Sequence, residues 1–388
     1  MTLVATPATG SSLLVDRLVA ASRRPANLGM VPNGAVSLAM GEPFANTPSE
    51  IVEAAMAALR RGRTRYAPLT GAPGLRAALA DHLCRTVGTN VQSDQIVLVH
   101  GASAGLAAII FSLVDPGDRV IIPEPTYSLY ADHVAMAGGS IAWVAHQPDG
   151  RLDFDGIAAE MSDARAIVLC NPSNPTGRVI SRTDLEAVAA MAETHGVALI
   201  VDEAYADIVF DGAEVHSALK LTGPKEIYCV GTFSKSYAMT GWRLGYVVAP
   251  APLADRVNRV HRTINGSLNT FVQDAALVAL ELPDSFLTDM AAAYQQRRDM
   301  VVDRLAEVSF LALARPEGAF YAFPRIDSNR SSEELAAELA SRGGVLVRAG
   351  AEYGPSGEGH LRLSFATDVP TLEEGLERFV NALPSLLC

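Results

Sequence analysis

The stretch Thr232 to Tyr246, TFSKSYAMTGWRLGY, decides the reading of this chain. A strand-like run, Glu226 to Gly231 (EIYCVG), leads into it, and the pattern then breaks into small and hydroxyl residues around Lys235. Lysines ordinarily occupy charged, solvated helix faces. Here Phe233, Tyr237, Met239 and Trp242 offer the ammonium apolar and aromatic surroundings. Burial disfavours the charged form of an amine and lowers its pKa, the condition under which a lysine becomes a Schiff-base nucleophile. Arg243, Thr232 and Ser234 flank that amine with one cation and two hydroxyls, a set that suits a phosphate.

Working outward, two apolar runs end on polar residues in the same way. Ala166 to Cys170 opens into Asn171, Pro172, Ser173 and Asn174, and Val197 to Val201 delivers Asp202, Glu203, Ala204 and Tyr205. Asn174, Asp202 and Lys235 are each about thirty residues apart, roughly one strand-helix-strand crossover. Open parallel α/β sheets place their ligands at such carboxyl ends of strands. Further upstream, Gln95 to Val99 is followed by the turn His100 to Gly105 and a helix through Leu113. Free N–H groups and a positive helix end would meet at Ala102 and Ser103, a seat for a phosphate. Arg119 to Pro123 is another strand, leading to Glu124, Pro125, Thr126 and Tyr127.

The tract SKSYAMTGWRLGY is similar to the lysine segment of the fold-type I, pyridoxal-phosphate-dependent aminotransferases of class I/II. The likeness extends to LAMGEPFANTP (Leu38 to Pro48), RYAPLTGAPGLRAAL (Arg65 to Leu79), VDEAY (Val201 to Tyr205), PEGAFYAFPRI (Pro316 to Ile326) and LRLSFA (Leu361 to Ala366). It implies an α/β fold, with a large domain holding a mostly parallel seven-stranded sheet flanked by helices and a smaller α+β domain formed by both chain ends. The division it implies is an N-terminal arm and part of the small domain over 1–45, a large cofactor domain over 46–285 and a small C-terminal domain over 286–388.

The same resemblance assigns roles. Lys235 carries pyridoxal 5'-phosphate as a Schiff base and, once freed, moves a proton at the substrate. Arg243, Thr232 and Ser234 hold the phosphate, joining the helix start at Ala102 and Ser103 read above as its seat. Tyr127 stacks on the pyridine ring, a contact worth on the order of 1 kcal/mol beyond burial. Asp202 keeps the ring nitrogen protonated, while Asn174 and Tyr205 hydrogen-bond the phenolic oxygen. Arg362 takes the substrate α-carboxylate in a bidentate fork, near Gly41 and Asn174. Tyr66 reaches the phosphate of a neighbouring subunit, which implies a homodimer with shared sites. The implied reaction is ping-pong transfer of an amino group between an amino acid and a 2-oxo acid. The alternative on this fold is a lyase, decarboxylase or oxidative deaminase acting on an amino acid. Two positions depart from the family's pattern: Phe44 follows the proline where Asp is common, and Arg348-Ala349-Gly350 stands where Pro-Gly is common. Arg348 or Arg65 is therefore expected either to help recognise the substrate side chain or to be a surface residue.

Composition agrees with a small-molecule enzyme. The chain has 388 residues, 49% of them hydrophobic and 19% charged, enough for two domains with sizeable cores. A formal charge of −12 argues against nucleic acid or an anionic membrane as partner. A regulator built on this fold would need an added basic DNA-binding module, for which the forty or so residues before Gly41 are poorly suited. The four cysteines show no CxxC spacing and the histidines no ligand spacing, which predicts buried thiols, a cytoplasmic setting and no metal. The N-terminus lacks a signal-peptide pattern, and no apolar run is long enough to span a membrane. Thr47 to Glu50 reads as a capping box opening a helix to Arg60 and Arg61, whose basic end with Arg63 and Arg65 reads as a solvated helix terminus. Helical patterns also cover Asp255 to Leu280 and Asp284 to Ala306.

Overall fold

The computed structural model describes residues 12–24 and 34–387; residues 1–11 and 25–33 of the predicted arm lie outside the described residues. The centre is a seven-stranded sheet, numbered here along the chain: β1 (Ile96–Val99), β2 (Arg119–Glu124), β3 (Ser140–Ala145), β4 (Ala164–Cys170), β5 (Ala198–Asp202), β6 (Ile227–Thr232) and β7 (Gly245–Val248). Their order across the sheet is β1-β7-β6-β5-β4-β2-β3. All neighbours run parallel except β7, which is antiparallel to both β1 and β6. The central strands are near-continuous Val, Ile and Leu because helices cover both faces. Successive residues alternate between two cores: Ile96 and Leu98 face one, Val97 and Val99 the other.

A third core gathers Tyr294, Val301 and Leu305 of the long helix Asp284–Ala306 with Phe320, Tyr321, Phe365 and Phe379. Both chain ends contribute to it, because Val36–Ser37 pairs in parallel with Val345–Leu346. Phe44 is spent here: its ring packs edge-on against Tyr294 at 5.2 Å, and the Arg297 guanidinium lies 3.6 Å from its centre. No helix among the described residues is long and apolar enough to cross a membrane.

Several expectations are corrected. The helix Ser49–Arg60 forms without a side-chain cap. Thr47 instead donates its hydroxyl to the Ala238 carbonyl at 2.5 Å and accepts from Trp242 Nε1 at 3.0 Å, tying the segment to the lysine loop. The basic end of that helix is not simply solvated, since Arg63 grips Asp274 through two bonds of 2.9 and 3.0 Å. The helical pattern over Asp255 to Leu280 is two helices, Ala251–Asn265 and Thr270–Glu281, broken at Gly266, whose φ is +73°. Strand character in Pro316 to Ile326 resolves into two short pieces, Tyr321–Ala322 and Arg325–Ile326.

Candidate active site

A cavity of about 340 Å³ opens at the carboxyl ends of β4, β5 and β6 and is closed on its far side by residues of the third core. Lys235 reaches it from the short helix Phe233–Ser236, which Thr232 caps by accepting from the Ser234 N–H at 3.1 Å. The lysine Nζ donates to the Gly41 carbonyl at 2.6 Å. The rings around it are Tyr205 and Phe320, at 5.9 and 5.6 Å, contributed by distant segments. Phe233, Tyr237 and Met239, its sequence neighbours, pack into a core of the sheet instead. Burial pushes the amine down to about 8, with Glu42 opposing and Arg362 and Arg243 reinforcing the shift.

Asp202 ends β5 and is buried. Its Oδ2 accepts from the Tyr130 hydroxyl at 2.8 Å and its Oδ1 from the Ala204 N–H at 3.1 Å. Burial raises its pKa, and these two donors work against the rise. Such a carboxylate has one exposed task left, to face a cation or an N–H in the cavity.

An anion seat lies beside it. Gly101, at φ +80° and ψ 162°, precedes the helix Ala102–Leu113, whose start has no side-chain cap, so its first N–H groups are left to the cavity. A Cβ on Gly101 would come within 2.6 Å of Arg243 Nη2, so the guanidinium lies against the turn. Arg243 is braced by the Thr240 carbonyl at 2.8 Å. Gly245 of β7 abuts the same turn, and a Cβ there would meet the Ala102 N at 2.8 Å and the Gly231 carbonyl at 2.8 Å. Tyr127 lines the cavity with Ser103, edge-on to Tyr130 at 5.5 Å, and burial raises its hydroxyl pKa. A group with an anionic tail, a flat ring and a basic ring nitrogen fits these residues.

Opposite stands Arg362, buried, on the strand Leu361–Ser364. It donates from Nη1 to Asn174 Oδ1 at 3.3 Å and from Nη2 to the Ala39 carbonyl, while its Nε is sealed from solvent and has no partner. Its guanidinium carbon lies 4.4 Å from the centre of the Tyr321 ring and 5.2 Å from that of Tyr353. Both acceptors are neutral, so no carboxylate is hydrogen-bonded to this buried charge, and a substrate carboxylate could take that place.

The family profile for aminotransferases of class I and II matches residues 33–379. A putative aminotransferase of Bacillus subtilis is 36% identical over 365 residues, covering 92% of this chain and 94% of the relative. An aspartate aminotransferase of Pyrococcus horikoshii is 33% identical over 354 residues, 90% of either chain. The crystal structure of an aromatic aminotransferase from the same organism superposes with a TM-score of 0.88 at 34% identity, over 96% of this chain and 99% of that one.

This chain belongs to the class I and II aminotransferases. It is an aminotransferase, a transferase of amino groups, and the lyase, decarboxylase and deaminase readings are not favoured. In this aminotransferase the cavity collects Gly41, Ala102, Ser103, Tyr127, Asn174, Asp202, Tyr205, Thr232, Ser234, Lys235, Arg243 and Arg362, all singled out from the sequence. Tyr66 is 96% exposed and stands outside it, as does the exposed Arg65. Arg348 is neither at the surface nor free: it lines the cavity, buried, and donates to Glu352.

Four residues of the site were missed. Tyr321 bonds the Tyr205 hydroxyl at 2.8 Å, and a side chain at Gly41 would run into its hydroxyl. Tyr130 serves Asp202, and Glu352 and Tyr353 line the wall. Tyr130 sits in the first turn of the helix Leu129–Ala137, just past Tyr127, and Glu352 lies in the short turn Gly350–Tyr353 that follows the strand of Arg348, so both are close in sequence to residues already singled out. Nothing in the local sequence distinguishes Tyr321 from a core aromatic.

Proposed function

We propose that the enzyme uses pyridoxal 5'-phosphate on Lys235 to exchange an amino group between an amino acid and a 2-oxo acid. The observation that carries this reading is a lysine amine held near pKa about 8 in one cavity with a buried carboxylate and an anion seat. Pyridoxal phosphate, when bound, supplies the carbonyl that takes the amino group and an electron sink for the bond broken at the substrate α-carbon. The Ala102 and Ser103 N–H groups, the Thr232 and Ser234 hydroxyls and Arg243 would hold its phosphate, and Tyr127 would cover its ring. Asp202, kept in place by Tyr130, would hold a proton on the ring nitrogen. Tyr205 and Asn174 would donate to the phenolic oxygen. Arg362 would fix the substrate carboxylate and so orient the Cα–H bond, and the Lys235 amine, neutral above a pKa of about 8, would move that proton.

We assign the working unit as a homodimer, because Tyr66 is presented 96% exposed at the end of a segment whose family counterpart completes a neighbour's site. The division into a cofactor domain over 46–285 and a domain over 286–388 fits the separate third core. Cys170 and Cys229, buried and unpaired in strands, support the cytoplasm as its compartment.

Purified enzyme loaded with the cofactor should show a visible absorption band that bleaches on adding an amino acid and returns on adding a 2-oxo acid. Lys235→Ala should neither cycle nor turn over. A variant that turned over amino acids at the parent rate would end this proposal.

A further inference from the structure

Arg348 and Arg362 are direct register partners on the antiparallel strands Arg348–Ala349 and Leu361–Ser364. Both side chains are buried and both line the cavity. Like charges placed directly opposite on one face repel each other. The acid nearest them is Glu352, itself buried, and its carboxylate feels both guanidiniums. It accepts from Arg348 Nη2, whereas Arg362 donates only to the neutral Asn174 and Ala39 oxygens and keeps Nε unpartnered. Two buried cations thus share the field of one buried anion, and its direct hydrogen bond goes to Arg348.

We infer that Arg348 is a positioning residue: it holds Glu352 away from Arg362 and so keeps Arg362 open to the carboxylate of the amino acid or oxo acid. This rests on the reading of Arg362 as the carboxylate receptor. An Arg–carboxylate fork within one protein forms without the entropy cost of bringing a ligand from solution. With Arg348 removed, buried Glu352 loses its charged hydrogen-bond partner, and Arg362, whose charge it already feels, is the cation left beside it. Glu352 then acts as a tethered competitor of every substrate carboxylate, whatever side chain follows it. A residue that read the substrate side chain would instead discriminate among substrates.

The test uses the cofactor-loaded enzyme and four variants: Arg348→Met, Glu352→Gln, the two combined, and Arg362→Met. Calorimetry would measure binding of isobutyrate, a carboxylate without an amine, and steady-state kinetics would give KM for one acidic, one aromatic and one aliphatic amino acid. Arg348→Met should weaken isobutyrate by at least about tenfold, corresponding to about 1.4 kcal/mol. It should raise all three KM values by a similar factor, while kcat changes much less. Adding Glu352→Gln to Arg348→Met should bring both measures back close to the parent. Unchanged isobutyrate affinity in Arg348→Met, a KM rise confined to the acidic amino acid, or a double variant as weak as the single would each overturn the inference. Isobutyrate binding that survived Arg362→Met would instead overturn the assignment of the carboxylate receptor.

Discussion

Removing the amine at Lys235 should make the stability of the cofactor-free protein respond differently to pH, and the size of the effect follows from its burial. The amine falls from an ordinary 10.5 to about 8 in the folded protein. At about 1.4 kcal/mol per pKa unit, a drop of that size corresponds to about 3 kcal/mol. Between those two values the unfolded chain binds more protons at this lysine than the folded one, so stability rises with pH there. Below pH 8 the folded protein carries the full penalty of a buried ammonium; by about 10.5 most of it is relieved. A Lys235→Met variant lacks this dependence altogether. Urea unfolding of parent and variant, both freed of cofactor, at pH 7 and at pH 10.5 should therefore show the parent gaining about 3 kcal/mol on the variant at the higher pH. Other groups titrating over this range cancel in the difference. A stability difference that stayed the same at both pH values, or moved in the variant's favour as pH rose, would refute the claim that the cavity suppresses the lysine's charge.

Three further outcomes are expected. Gly101→Ala forces a side chain into a backbone region open essentially to glycine, at a cost of about 1–3 kcal/mol, and pushes against Arg243 at 2.6 Å. Titration of the cofactor-free variant with pyridoxal phosphate should show affinity reduced by at least about tenfold, and parent affinity would show that the turn is not the anion seat. Tyr130→Phe strips one donor from Asp202 and should lower kcat by about tenfold, the worth of one hydrogen bond to a carboxylate, with circular dichroism confirming an intact fold. Thr47→Val leaves the Trp242 N–H without its partner and should lower the unfolding free energy by about 1–3 kcal/mol in urea.

What the sequence made legible follows from the range of the physics involved. The strands β2, β4, β5 and β6 were visible because a two-faced buried strand is apolar throughout, and the residues just past their ends inherited their place from the sheet. The strand β3, SIAWVA, has only one sheet neighbour and an exposed residue at either end, so its apolar run is broken. The strand β7 is four residues long and antiparallel among parallel neighbours. The surroundings of Lys235 were misjudged for a different reason. Adjacency in sequence is not adjacency in space here: the Phe233, Tyr237 and Met239 side chains pack inward, while Tyr205 and Phe320 arrive from elsewhere. Arg348 marks the same limit: whether an arginine is solvated or walled in depends on a strand partner and an acid that only the folded chain supplies.

The contact of Gly245 with the Gly101–Ala102 turn separates the site into two kinds of material. The floor of the turn at Gly101 is main chain resting on main chain, and substitution cannot exchange those atoms without first displacing one strand from another. The walls are side chains such as Arg348, Glu352 and Tyr353, which single codon changes can replace.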